Sequence, residues 1–250
     1  MIAAAAVVLT VAVVLATWFA MHWALARRDT EVVEHRELAA SVIFRVAALH
    51  GLILSLVFAQ LVFDYRALNS EASEEAAALS DLYFDILRYD APEAPGMQQA
   101  LRDYACLVID AEWPDLGRTR ALSPEAWAAW DRAYEIVLDL VPATPREEAL
   151  RDNMLSRVHR VAQLRDARVA HGLMGLDGLF WIPALAGVLV VAAGFHTFRP
   201  TRHNVFLLSL YGAFTGLVLF MIYALSDPFA EPGALRPSAF ERLLSSNFTA

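Results

Sequence analysis

The sequence predicts an all-α integral membrane protein, with four transmembrane helices and a helical-bundle extramembrane insert between the second and third. Three observations carry this. Of 250 residues 58% are hydrophobic and the mean hydropathy is positive, against about 45–50% apolar in an ordinary soluble domain. That excess is gathered into four long blocks rather than spread as a globular core would spread it. Between the second and third blocks the composition turns charged and alanine-rich, with no alternation of β-branched residues that would signal strands.

Ile2 to Trp23 carries no charged residue, and at about 1.5 Å per residue it is long enough to cross a hydrocarbon core about 30 Å thick. A signal peptide cleaved near Ala24-Leu25-Ala26 is the competing reading. The missing basic residues ahead of the run and its length speak against it. Ser41 to Phe63 is the second span and holds Arg45, His50 and Gln60. Leu179 to Phe198 is the third, with Trp181 at the interface and Pro183 in its first turns, where a missing N–H matters least. Val205 to Leu225 is the fourth, joined to the third by a connection too short for anything but an antiparallel hairpin. Four crossings put both termini on one side, making residues 1–63 and 178–226 membrane-spanning, 64–177 the insert and 227–250 a C-terminal tail. The short connections carry Arg27, Arg28, Arg36, Arg199 and Arg202, a bias that would hold them in the cytoplasm and the insert outside. Arg66, Arg165, Arg168 and Arg236 on the opposite side weaken it, so orientation stays open.

Within the insert, Leu68, Leu79, Leu82, Tyr83, Ile86 and Tyr89 recur at helical spacing and carry the second span onward as an amphipathic helix. Ala91 to Gly96, with two prolines, breaks it. Met97 to Trp113 is the next helix, ended by Pro114. Ser123 followed by Pro124 opens another, reaching about Leu140. Thr144-Pro145-Arg146-Glu147 is a capping box that starts the longest helix of the insert. Its apolar stripe is Leu150, Met154, Val158, Val161 and Leu164, with Arg151, Arg157, Arg160, Arg165 and Arg168 on the remaining faces.

Composition excludes several functions. A net charge of −8 without a basic stripe excludes nucleic acid as a partner. One cysteine, Cys106, forbids an intrachain disulfide or a cysteine metal cluster. All 20 basic residues are arginine, so P-loop and Schiff-base lysine chemistry are absent. That usage also fits a GC-rich bacterial genome and places the chain in a bacterial inner membrane. No nucleophile elbow and no zinc helix occurs, so no catalytic residue, metal or cofactor is expected and the chain is not read as an enzyme. Glu74-Glu75 and Glu147-Glu148 read as solvated helix faces. Asn247-Phe248-Thr249 matches a glycosylation sequon, taken as chance in a bacterial chain.

Two groups of residues invite a role. On a helical wheel with Arg45 at zero, Gln60 falls at about 60° and His50 at about 140°, so the three share one half of the second span. Intramembrane polar groups face a bundle interior or a wet path, which makes these three candidates for lining a pore or cavity; snorkelling of Arg45 and bonds from His50 and Gln60 to neighbouring helices are the plainer reading. At the exit of the fourth span stands Asp227-Pro228-Phe229. An acidic residue at a helix C-terminus opposes the dipole, so Asp227 is expected to pair with Arg66, Arg165 or Arg168 as a latch.

Leu101-Arg102-Asp103-Tyr104, Glu112-Trp113-Pro114, the helix ending in Arg165 and Arg168, and Asp227-Pro228-Phe229 together resemble the bestrophin-like family of membrane proteins, also called domain of unknown function 4239. The resemblance spans nearly the whole chain and implies two spans, a helical insert and two more spans. The kinship it implies with bestrophins, pentameric calcium-gated anion channels, suggests a homo-oligomeric ion (anion) channel and would put the insert in the cytoplasm. No residues match the bestrophin pore neck or calcium clasp, so none is carried over. The alternative is a non-conducting scaffold or accessory subunit that binds a protein partner through the insert, with Trp113, Trp127, Trp130 and Tyr134 as its contact patch. An enzyme within the bilayer is a third and weaker reading.

Overall fold

The structure, a computed structural model, describes residues 1–26, 36–173, 176 and 178–248. Arg27, Arg28, Asp177, Thr249 of the sequon and the side chain of Arg36 lie outside the described residues. In order the elements are α1 (Ile2–Ala26), α2 (Arg36–Tyr89), α3 (Ala94–Leu107), a π-helical turn (Val108–Glu112), α4 (Trp113–Arg118), α5 (Pro124–Asp139), α6 (Pro145–Leu173), α7 (Gly178–Gly194), a 3₁₀ turn (Phe195–Thr197), α8 (Arg202–Leu225) and α9 (Ser238–Asn247). No strand occurs among the described residues, and four helices, α1, α2, α7 and α8, are long and apolar enough to cross a membrane. The chain forms two compact units, Met1–Val62 with Leu176–Ser226, and Phe63–Gly175 with Asp227–Ala250.

In the first unit α1 packs on α8 and α7. Close approach to α8 is set by Gly212 and Gly216, one turn apart. A Cβ on Gly216 would stand 2.8 Å from Thr10 Cβ and 3.1 Å from Val7 Cα, and one on Gly212 3.1 Å from Val11 Cα. Small residues at this spacing let helix backbones meet. Val14, Trp18, Leu54, Ala184, Val188 and Ile222 fill the interior, and the Trp18 indole N–H donates to the Phe195 carbonyl at 2.9 Å. The outside is apolar too: Val8, Phe44, Leu56, Phe206 and Phe214 are all exposed.

The second unit is a helical bundle. Leu68, Leu79, Leu82 and Ile86 of α2 meet Met97 and Leu101 of α3, Ala133 and Val137 of α5, and Met154, Val158 and Val161 of α6. The expected continuation of the second span holds, since α2 is unbroken from Arg36 to Tyr89. Ser123 caps α5, its Oγ accepting from the Ala126 N–H at 3.1 Å. At α6 the Thr144 hydroxyl accepts from the Glu147 N–H at 3.2 Å, but Glu147 reaches the Ala143 N–H (2.7 Å) rather than that of Thr144.

Three expectations need correction. Pro114 does not stop its helix: the π turn puts the Trp113 N–H on the Val108 carbonyl, five residues back, and this wider winding absorbs the donor that proline lacks. Residues 227–250, expected as a C-terminal tail, belong to the second unit, with Ala239, Phe240 and Leu243 of α9 buried. Glu75 is not a solvated face. It is fully buried because it lies on the stripe of Leu68, Ala72, Leu79, Leu82 and Ile86, whereas Glu74 beside it is exposed and pairs with Arg160 at 2.7 Å.

Candidate functional site

The core of the second unit holds a closed polar cluster. Glu112, fully buried, is bound from several directions. Arg165 donates to it through Nε (3.1 Å) and Nη2 (2.5 Å), Arg168 through Nη2 (2.6 Å) and the Ser123 backbone N–H at 3.0 Å. Arg165 also reaches the Ser123 carbonyl at 2.8 Å. Arg168, fully buried, stands 3.3 Å from Glu75, and Tyr104 donates its hydroxyl to Glu75 at 2.5 Å. The guanidinium of Arg168 lies over the rings of Trp113 (5.8 Å) and Phe240 (5.6 Å), placing aromatic faces where hydrogen-bond acceptors run out. Its Nε and Nη1, and Oε2 of Glu75, have no hydrogen-bond partner among the described residues.

Local folding explains the convergence. Arg165 follows Val161, and Arg168 follows Leu164, by one turn each, so both sit on the buried stripe of α6. Tyr104 and Glu112 are eight residues apart and in a regular α-helix would lie about 80° from one another. The π turn between them takes up one extra residue, so Glu112 falls about 20° from Tyr104, as an i+7 neighbour would.

Electrostatics follow from enclosure. Burial pushes the Glu75 carboxyl above its ordinary value, against the opposing pull of Arg168 and Tyr104. Burial and the adjacent Glu75 push the Tyr104 phenol well up, keeping it a donor. Burial works against the Arg168 cation, but Glu75, Tyr104 and Glu112 outweigh it and hold it charged. The cluster therefore sets two buried guanidiniums against two buried carboxyl groups. Chemically it can hold charge and fix helices; among the described residues no group of His, Cys, Asp or Glu is placed to hold a metal ion.

Other expected residues fall elsewhere. Asp227 does not pair with Arg66, Arg165 or Arg168: both its oxygens accept from Arg120, Oδ1 from Nη1 at 2.9 Å and Oδ2 from Nη2. Arg165 and Arg168 are taken by Glu112, and Arg66 is exposed. Arg120 stands in the left-handed region at φ 59° just past α4. Pro228 accepts from the Leu235 N–H at 2.7 Å. Phe229 packs edge-on against Trp113 at 5.2 Å, and its carbonyl lies 2.5 Å from where a Cβ on Gly117 would be. In the first unit Arg45, His50 and Gln60 do not converge. His50 is buried and bonds the Ala184 carbonyl at 2.8 Å, while Arg45 and Gln60 are exposed. Of the aromatic patch, Trp113 and Trp130 are buried and Tyr134 half-buried, leaving Trp127 exposed. Arg120 went unassigned in the sequence, Ser123 was read only as a helix cap and Glu75 only as a solvated face; for Glu75 its place on the α2 stripe was a usable signal.

The Bestrophin-like domain profile matches residues 7–240 of the chain. The chain belongs to the bestrophin-like family. No curated protein and no solved structure matches it. In this bestrophin-like chain several of the residues that carry the family resemblance come together: Tyr104, Glu112, Trp113, Arg165 and Arg168 form the buried cluster, Phe229 packs on Trp113, and Asp227 anchors the segment that delivers Phe229, whereas Arg102 is exposed.

Proposed function

We propose that this bestrophin-like chain is one subunit of an oligomeric, channel-like protein of the bacterial inner membrane, in which α2 of each subunit faces a central ion path and the inserts form a vestibule. Membrane insertion is supported by the four long apolar helices and by the exposed Phe44, Leu56, Phe206 and Phe214 of the first unit, a surface that suits lipid and not water. The observation that carries the path is the exposure of Arg45 and Gln60 on α2, about 60° apart, on a helix whose other exposed residues there are mostly apolar, Leu49, Leu52 and Leu56 among them. Polar side chains on a span are costly against hydrocarbon and are accommodated by a wet path or a neighbouring subunit. Family membership supports the same reading, since the kinship is with anion channels. The cluster around Glu112 serves in it as the rivet of the insert.

The test is chloride flux from proteoliposomes together with the mass of the detergent-purified particle. Flux that changes with Arg45→Ala or Gln60→Ala, from a particle of several chains, is the expected result. A monomer that carries no ion overturns the reading.

A further inference from the structure

Between α2 and α8 of the first unit lies a cavity of about 500 Å³. Its α2 wall runs from Ala47 through Gly51 to Phe58, and its α8 wall from Tyr211 through Thr215 to Met221. Each wall covers about 15 Å of helix. A cavity of this size, mostly apolar with a few converging polar groups, has the form of a small-molecule site.

Ser55, Tyr211 and Thr215 supply hydroxyls to the lining, and the buried polar ring is His50, 6% exposed, near one end. Its Cδ2–Nε2 edge faces α7, where Nε2 meets the Ala184 carbonyl at 2.8 Å and a Cβ added at Gly187 would strike the ring. A carbonyl only accepts, so Nε2 carries the proton. With the ring proton on Nε2, Nδ1 is an acceptor on the edge turned away from α7. No hydrogen bond from a described residue reaches it. Gly51, one residue on, opens the wall further, for a Cβ there would meet nothing within 4 Å.

The lining decides the occupant. The space runs for about 15 Å between walls that include Leu54, Phe58, Leu217 and Val218, a length and surface suited to a single hydrocarbon chain, with the buried His50 near one end. We propose that this cavity binds a single-chain lipid bearing one hydrogen-bond donor, its hydroxyl on Nδ1 of His50 and its chain running between the helices toward Phe58 and Met221. The proposal does not depend on whether the protein conducts ions.

The experiment uses the full chain in nanodiscs and a hexadecanol carrying a photoreactive diazirine near its tail, with labelled residues located by mass spectrometry. Labelling within 47–58 and 211–221, competed by hexadecanol about tenfold better than by its methyl ether, is expected. Gly51→Phe, which fills the cavity from open space, is expected to abolish the labelling. His50→Phe is expected to erase the preference for alcohol over ether. Labelling that survives Gly51→Phe, that spreads evenly over outward residues such as Phe44 and Phe206, or that does not distinguish alcohol from ether in the unaltered chain overturns the proposal.

Discussion

Glu112→Gln changes one non-hydrogen atom of the protein and is expected to cost as much stability as a large-to-small core substitution. Glu112 is fully buried, Arg168 likewise and Arg165 very nearly so. The carboxylate accepts from both guanidiniums and from the Ser123 N–H, so all its donors are aimed at oxygen. An amide nitrogen in place of one oxygen confronts them with a further donor, and the remaining charge balance is two cations against Glu75, whose carboxyl burial already pushes toward the protonated form. Stranding a buried charge in this way costs about 3–5 kcal/mol. At roughly 3 °C per kcal/mol for a domain of this size, the second unit should melt about 10–15 °C lower. Thermal unfolding in detergent micelles, followed by the fluorescence of buried Trp113 and Trp130, measures it. A drop of less than about 3 °C would show that the cluster is not held together by charge, and the account of Arg165 and Arg168 given above would fall with it.

Glu75→Gln should be far milder at neutral pH, because the amide oxygen still accepts from Tyr104. The pH dependence has a definite sign: with a folded value raised above the ordinary 4.5, the Glu75 contribution is full below that value and is lost as pH rises through the folded one. The melting temperature of the variant relative to the unaltered chain should therefore improve between pH 4 and pH 7, and a relative loss would contradict the direction of the shift. Asp227→Ala, removing a half-exposed ion pair and the acceptor of the Phe229 N–H, should cost about 1 kcal/mol after solvent screening. Arg120→Gly should be nearly neutral in melting temperature, since relief of a left-handed backbone worth about 1 kcal/mol offsets the lost pair. Gly216→Ala should destabilise the first unit by about 1–3 kcal/mol through overpacking on Thr10 and Val7, whereas Gly51→Ala should leave its melting unchanged; equal effects in a detergent melt would remove the α1–α8 packing argument.

Much of the fold was legible because it is written in long apolar runs and in local end signals. The four long apolar helices, the helical second unit and the Ser123 cap follow from period and composition alone. What was not legible depended on residues distant in sequence. Asp227 promised a cationic partner, but nothing local distinguishes Arg120 from Arg66; only the path of the segment after α4 brings Arg120 near. Arg165 and Arg168 read as surface because charge normally is, and their burial becomes sensible only when Glu75 and Glu112 arrive on other helices. Glu75 was misjudged for the same reason, although its spacing to Ala72 and Leu79 placed it inward. His50, Arg45 and Gln60 share half a wheel, but α7 and α8 cover only part of that half, so a shared face did not mean a shared site.

The π turn at Val108–Glu112 acts as a one-residue spacer, and this makes the chain tolerant of shortening there. Deleting one residue between 108 and 111 would leave a regular helix in which Glu112 is the i+7 neighbour of Tyr104, still about 20° from it. The carboxylate that Arg165 and Arg168 grip would keep its direction. Adding a residue would instead swing everything after it by about 100°, so lengthening and not shortening is what this stretch resists.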